Sequence, residues 1–458
     1  MRHWIRVLWP AGPMAGGGAR SALATVGLTA AVGWSARIVA AAAQLIAVRL
    51  LIQTLSAPGY GIFAVIIGLL NWFALADLGF GAGLQNFISA QRVAGNSALH
   101  AIRSTCILLL LLLVMFVLLW TGVSHWVGPL LLHDLRQVTA SQAATIFLGF
   151  AIVATGAGLA SVGLKICFAE HRGYIAHMLT LASTLTGVAA IQLLRFIPMD
   201  QRITWALVLY QGPLWLLPAG YLVHHVWKTR RDQPWLKFAE IRATLHAIWL
   251  SARVFLLFGI LGALVLNIDY VLLAQAVKAE DIAVYAVFAR IFALIFFVFS
   301  AVTQAYWPVM AELFAKGDHV SLNSSIFKCL GFGLVVIVGG SILFYFGIDI
   351  VKLILFTKND IILPRHYIIL FAVYWMIRVW TDTFATVIQS GGKTAILCAA
   401  VAVQAVVNFI FSYIGAIKYG ITGLMVGTSI AFVVTVAWML PLYVWRYMIN
   451  SRQMEISL

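Results

Sequence analysis

Charge is what this chain has least of. Only 10% of its 458 residues are Asp, Glu, Lys or Arg, against 63% hydrophobic. A water-soluble protein carries roughly 25–35% charged residues on its surface, so a soluble globule of this length is excluded. Acidic residues are the scarcer sign, 15 against 30 basic. The four cysteines, Cys106, Cys167, Cys329 and Cys398, stand singly within or beside apolar runs. They lack the paired spacing of a disulfide framework or a metal centre, and no metal is expected. Ten-residue segments of alternating polarity are missing, which excludes a transmembrane barrel. No connection is long enough to fold as a separate domain, which argues against membrane glycosyltransferases, ligases and polymerases. No basic stripe with interleaved aromatics lies outside the apolar runs, so no nucleic-acid partner is expected despite the net charge of +15. The Lys and Arg excess fits loops facing an anionic leaflet.

What is present is a series of apolar windows of about twenty residues, the length of a membrane-spanning helix. They fall near 29–52, 60–84, 104–125, 141–164, 174–194, 203–227, 247–276, 282–308, 326–348, 366–389, 394–416 and 421–445. The expected fold is an all-α membrane protein with about twelve transmembrane helices in two six-helix bundles, 1–227 and 247–458. A basic connector, 228–246, joins them. The first residues set Trp4 and Trp9 among Arg2 and Arg6 and read as a short interfacial segment. The Ala-rich run from about Leu28 to Leu55 is too long for a signal peptide and reads as a retained first span. With the N-terminus inside, the cytoplasmic segments hold 17 Lys and Arg and the outer loops 8. That bias predicts both termini in the cytoplasm.

The halves look related. Ser35-Ala36-Arg37 recurs as Ser251-Ala252-Arg253, and the segment 56–64 resembles 280–289. An even number of spans per half gives both halves the same orientation, with the substrate path between them.

Ionisable residues inside the spans are the candidate site. A charge in hydrocarbon costs about 2.5–3.5 kcal/mol on insertion scales, so it faces a protein interior or a wet cavity. At about 1.5 Å of rise per residue, Arg37 and Asp77 both lie roughly 10–12 Å below the cytoplasmic surface and could pair across adjacent helices. Asp269 and Arg290 stand in the same relation from the outer side, and Arg378 and Asp382 share one face of span ten. Arg253 has no acid at its depth and is the leading candidate for an anion contact. Arg37, Arg253, Arg290 and Arg378 are therefore read as contacts for an anionic headgroup, because guanidinium binds phosphate bidentately and does not titrate away. Asp77, Asp269 and Asp382 are read as cavity carboxylates, or as carriers of a coupling H+ or Na+. Packing-only ion pairs are the competing reading. Gly391-Gly392-Lys393-Thr394 fails as a phosphate loop, because Val387 stands where a glycine is required. No serine, histidine and acid set reads as catalytic, and no cofactor is expected.

Asn71-Trp72-Phe73, Ala76-Asp77-Leu78-Gly79, Gln85-Asn86 and Ile88-Ser89, with Asp269-Tyr270, Val284-Tyr285, Trp307-Pro308, Glu312 and Gly317-Asp318, resemble the bacterial O-antigen and capsule polysaccharide flippases. That family shares a superfamily with multidrug extruders and lipid II flippases. The resemblance implies a V-shaped cavity between the bundles that opens alternately to either side of the bacterial inner membrane. It implies an oligosaccharide on a polyprenyl pyrophosphate as substrate, its tail staying among membrane lipids. It also implies a monomer working beside a polysaccharide polymerase or glycosyltransferases. A multidrug cation antiporter and a polyprenyl-dependent glycosyltransferase are the alternatives.

Overall fold

The computed structural model describes residues 18–93, 96–132, 138–170, 172–229, 238–355, 362–390 and 394–456. The tryptophan-rich start, the turn 391–393 and residues 230–237 of the basic connector lie outside the described residues. Among those described, the structure is helical, with no strand. Ten runs are long and apolar enough to cross a membrane. Two of them, Ala31–Asp77 and Ala395–Tyr447, hold 47 and 53 residues. At 1.5 Å per residue each is about 70–80 Å long, more than twice the roughly 30 Å hydrocarbon core, so each makes two crossings. The backbone breaks where they turn, at Ser56 (φ 65) and at Gly420 (φ 58). Twelve crossings result, six on each side of residues 230–237.

The first set is α1 (Gly18–Gly68), α2 (Leu70–Phe73), α3 (Phe80–Val93), α4 (Leu99–Leu132), α5 (Ala140–Ala169), α6 (Gly173–Ala190) and α7 (Arg202–Thr229). The second is α8 (Phe238–Leu266), α9 (Asp269–Ala274), α10 (Ala279–Lys316), α11 (His319–Leu355), α12 (His366–Ser390), α13 (Thr394–Val434) and α14 (Val436–Ile456). In the first, α5 is the central helix. Its Ala- and Gly-rich faces let α4 and α7 approach closely, in the way small residues serve membrane helix packing. In the second, α12 holds the centre, touching α10, α11, α13 and α14. Outer helices turn leucines to the acyl chains: on α4, Leu110, Leu111 and Leu118 are 64–68% exposed. In lipid that exposure costs nothing.

The two sets meet mainly along α1 against α10 and α3 against α8. One expected span is shorter than the hydropathy indicated. Span seven was expected to run to 276, but α8 stops at Leu266 and the polar pair Asn267 and Asp269 opens a separate short helix.

Candidate functional site

Span two decides how the sets meet, and it is discontinuous. It leaves α1, passes through α2 and a tight turn at Ala74–Asp77, then breaks at Leu78 (φ 52) and Gly79 (φ 77) before restarting as α3. A left-handed leucine costs roughly 1–2 kcal/mol. Asp77 supplies the compensation. Its Oδ1 accepts from the Gly79 N–H at 2.9 Å, and its Oδ2 accepts from the Gly81 N–H at 3.0 Å and from Lys165 Nζ at 3.1 Å. The carboxylate thus satisfies orphan donors at the start of α3 and meets the positive end of that helix. Glycine at 79 is required twice, because a Cβ there would also collide with the Ala252 carbonyl of α8. Beside this contact Phe80 stacks on Trp249, ring centroids 5.6 Å apart. At the start of span two, Gly61 leaves room for the Ala279 carbonyl of α10.

Between these two close approaches lies a chamber of about 420 Å³. Gln44, Tyr60, Asn71, Tyr210 and Gln211 line it from the first set, and Asn267, Tyr270 and Arg290 from the second. Arg290 Nη1 donates to Gln44 Oε1 at 3.1 Å, and Asn71 Nδ2 donates to Asn267 Oδ1 at 2.7 Å, so both bonds cross the seam. Arg290 stands eleven residues into α10, about 16 Å from its N-terminal end and near the middle of the apolar run Ala279–Gln304. No Asp or Glu lines this chamber. Its guanidinium is solvated by amides and phenols alone, which leaves a net positive field. Gln211 is buried, and its Oε1 has no partner among the described residues. A fixed cation with forked donors, ringed by neutral hydrogen-bonding groups, suits an anion joined to a polyhydroxylated body.

The remaining expectations divide. Arg37 and Asp77 do not pair. Arg37 Nη1 donates to Gln304 Oε1 of α10 at 3.3 Å and its guanidinium lies 6.0 Å from the centre of the Phe297 ring. Span one packs on span eight there, while Asp77 is held by its own helix start and by Lys165. Lys165, expected in a cytoplasmic loop, lies on α5 four residues before its end and reaches that carboxylate. Asp269 and Arg290 do not pair either. Asp269 sits outside the chamber lining and accepts from Tyr285 Oη at 2.7 Å, while its other oxygen is buried with no partner among the described residues. Arg378 and Asp382 do pair, through two bonds of 3.3 and 2.8 Å, with Tyr374 Oη beside them at 3.3 Å. Phe296, Trp375 and Phe432 surround that guanidinium at 5.5–5.7 Å. Arg253 is exposed on α8 next to Ala252, outside the chamber lining, with no hydrogen bond or ion pair among the described residues.

The amides were missed. Gln44, Gln211 and Asn267 are uncharged, and a search for charges within spans passes over them. An amide buried mid-span is itself expensive in lipid, and that was the available signal.

Comparison with known proteins places this architecture. Residues 255–414 match the family model described as MatE. A Salmonella typhi protein named for O-antigen transport is 32% identical over 429 residues, covering 93% of this chain and 97% of its own. This chain belongs to the O-antigen transporter family. Two solved structures share the fold at low identity. An inward-facing multidrug-resistance MATE family transporter gives a TM-score of 0.72 at 12% identity, covering 91% of this chain and 98% of its own. The lipid II flippase MurJ, inward closed, gives 0.63 at 13%, covering 93% and 87%. The family is one of multi-pass membrane transporters, and the twelve crossings of this member match that description.

Proposed function

We propose that this chain moves a polyprenyl-pyrophosphate-linked oligosaccharide across the bacterial inner membrane, by alternating access between its two six-helix sets, with both termini in the cytoplasm. The single observation that carries the reading is Arg290 in a chamber without an acid, at the seam and near the middle of its apolar run. The pyrophosphate is its ligand there, and the surrounding amides and phenols take sugar hydroxyls. The relative's name supports the substrate class. A cation extruder needs the opposite polarity: an organic cation entering this chamber meets an unneutralised guanidinium. A glycosyltransferase is not proposed, because the relatives are named as transporters. Coupling to H+ or Na+ falls to Asp269. Asp77 is committed to three donors and Asp382 to Arg378, whereas Asp269 keeps one oxygen free. The chain acts as a monomer, because its chamber is complete within one copy, and it works beside the enzymes that build and polymerise the glycan.

Reconstitution tests this. Proteoliposomes loaded with a labelled lipid-linked oligosaccharide on one leaflet are expected to expose it on the other, at a rate that needs the protein and an ion gradient. Label that stays on its original leaflet, with gradient and substrate present, overturns the proposal.

A further inference from the structure

A second cavity, of about 350 Å³, lies inside the second helix set, away from the Arg290 chamber, its wall largely apolar with a few polar groups. Its volume is in the range of ligand sites, roughly 300–1,000 Å³. Its charged wall is the Arg378–Asp382 pair, closed on itself and neutral. The Asp382 side chain is 34% exposed and the Arg378 side chain 12%, so carboxylate oxygen is the charged atom offered to the cavity. Gln404 adds a second independent sign. It lines the cavity from α13 at 3% exposure, and its Nε2 has no partner among the described residues. An unmet buried donor is destabilising, and an occupant with acceptor oxygens removes that cost. Gln389 sits opposite on α12, while Phe296 and Trp307 supply aromatic walls. Donor, acceptor, neutral net charge and aromatic faces together match a pyranose ring: hydroxyls for the amides and carboxylate, C–H faces for the rings.

The cavity is also in reach of the chamber. Both open on α10, whose Gln304 lines this cavity and accepts the Arg37 bond that crosses the seam. Gln304 is fourteen residues beyond Arg290, about 21 Å along the helix and nearly four whole turns, hence on a similar face. A glycan of a few residues covers that distance. We infer that this cavity is a sugar subsite, holding a residue of the oligosaccharide remote from the pyrophosphate. The inference rests on the transport reading above.

The test uses the full-length protein in detergent, with two probes: the host's repeat-unit oligosaccharide freed from its lipid, and a polyprenyl pyrophosphate without glycan. Binding is read by tryptophan fluorescence, and folding of each variant by thermal melting. Gln404→Ala and Gln389→Ala are expected to weaken the free oligosaccharide at least tenfold and leave the bare pyrophosphate lipid unchanged. Arg290→Ala is expected to do the reverse. Oligosaccharide affinity unchanged in both glutamine variants, with pyrophosphate binding intact, overturns the subsite alone. So does cavity-dependent stabilisation by Na+ with none by oligosaccharide. If neither probe binds the wild-type protein, the transport reading falls with it.

Discussion

Replacing Arg290 by alanine is the perturbation with the clearest arithmetic. This side chain bonds across the seam to the Gln44 amide at 3.1 Å and to the Tyr210 phenol, and no acid lines its chamber. Losing neutral bonds of this kind costs about 1 kcal/mol each, so abundance and melting temperature should change modestly. With substrate bound, the same group makes at least one charge-assisted bond to pyrophosphate, worth about 1.5–3 kcal/mol. At about 1.4 kcal/mol per factor of ten, alanine should weaken the lipid pyrophosphate by about 10- to 150-fold. Lysine keeps the charge but loses the fork, and should recover part of that. The assay is a binding titration of pyrophosphate lipid in detergent, beside initial flip rates in proteoliposomes. A folded R290A protein that binds and flips like the wild type would refute the reasoning. A variant that fails to accumulate would equally refute it, by making Arg290 a structural residue.

Other positions give separable outcomes. Asp77→Ala removes the partner of three donors at the span-two break; with Lys165 a third exposed, about 3 kcal/mol is the expected cost. Protein abundance should fall while transport per surviving molecule does not, and a double-mutant cycle with Lys165→Met measures the coupling. Cysteines at 71 and 267, in a background lacking the four native ones, should be joined by a short bis-methanethiosulfonate across the present hydrogen bond. Transport should stop and return with reductant; full activity while cross-linked would show that the seam need not open there. At the end of α5, burial raises the pKa of Glu170, but the His225 hydrogen bond and the His225 and Arg172 charges outweigh it, leaving the pKa lowered. A lowered carboxylate contributes stability at neutral pH that is lost as pH falls through its folded value, below the ordinary glutamate range. Glu170→Gln should therefore flatten the acid limb of the melting curve, and an unchanged limb would count against that cluster.

How much of this was legible beforehand follows from which interactions are local. The spans were readable because twenty apolar residues in lipid have one economical backbone form. The Arg378–Asp382 pair was readable because residues four apart in a helix share a face whatever surrounds them. Arg37–Asp77 and Asp269–Arg290 failed because equal depth says nothing of azimuth, nor of which helix lies alongside. Arg37 turned to span eight, and Asp77 turned inward to its own chain. The break at Leu78 was hidden by its residue type, since leucine is a poor choice for left-handed backbone. Gly79, Gly81 and Gly83 at alternate positions were the better hint. Asn71 and Tyr270 were noticed as parts of a family pattern, while their chemistry as neutral groups facing a cation needed the fold to bring them together.

The most direct measurement is a cryo-EM map of the protein bound to a polyprenyl-pyrophosphate-linked glycan in lipid nanodiscs. Pyrophosphate density within hydrogen-bonding distance of the Arg290 guanidinium, between α1 and α10, is the result predicted. A headgroup lodged elsewhere, with Arg290 still bonded to Gln44, would contradict the account.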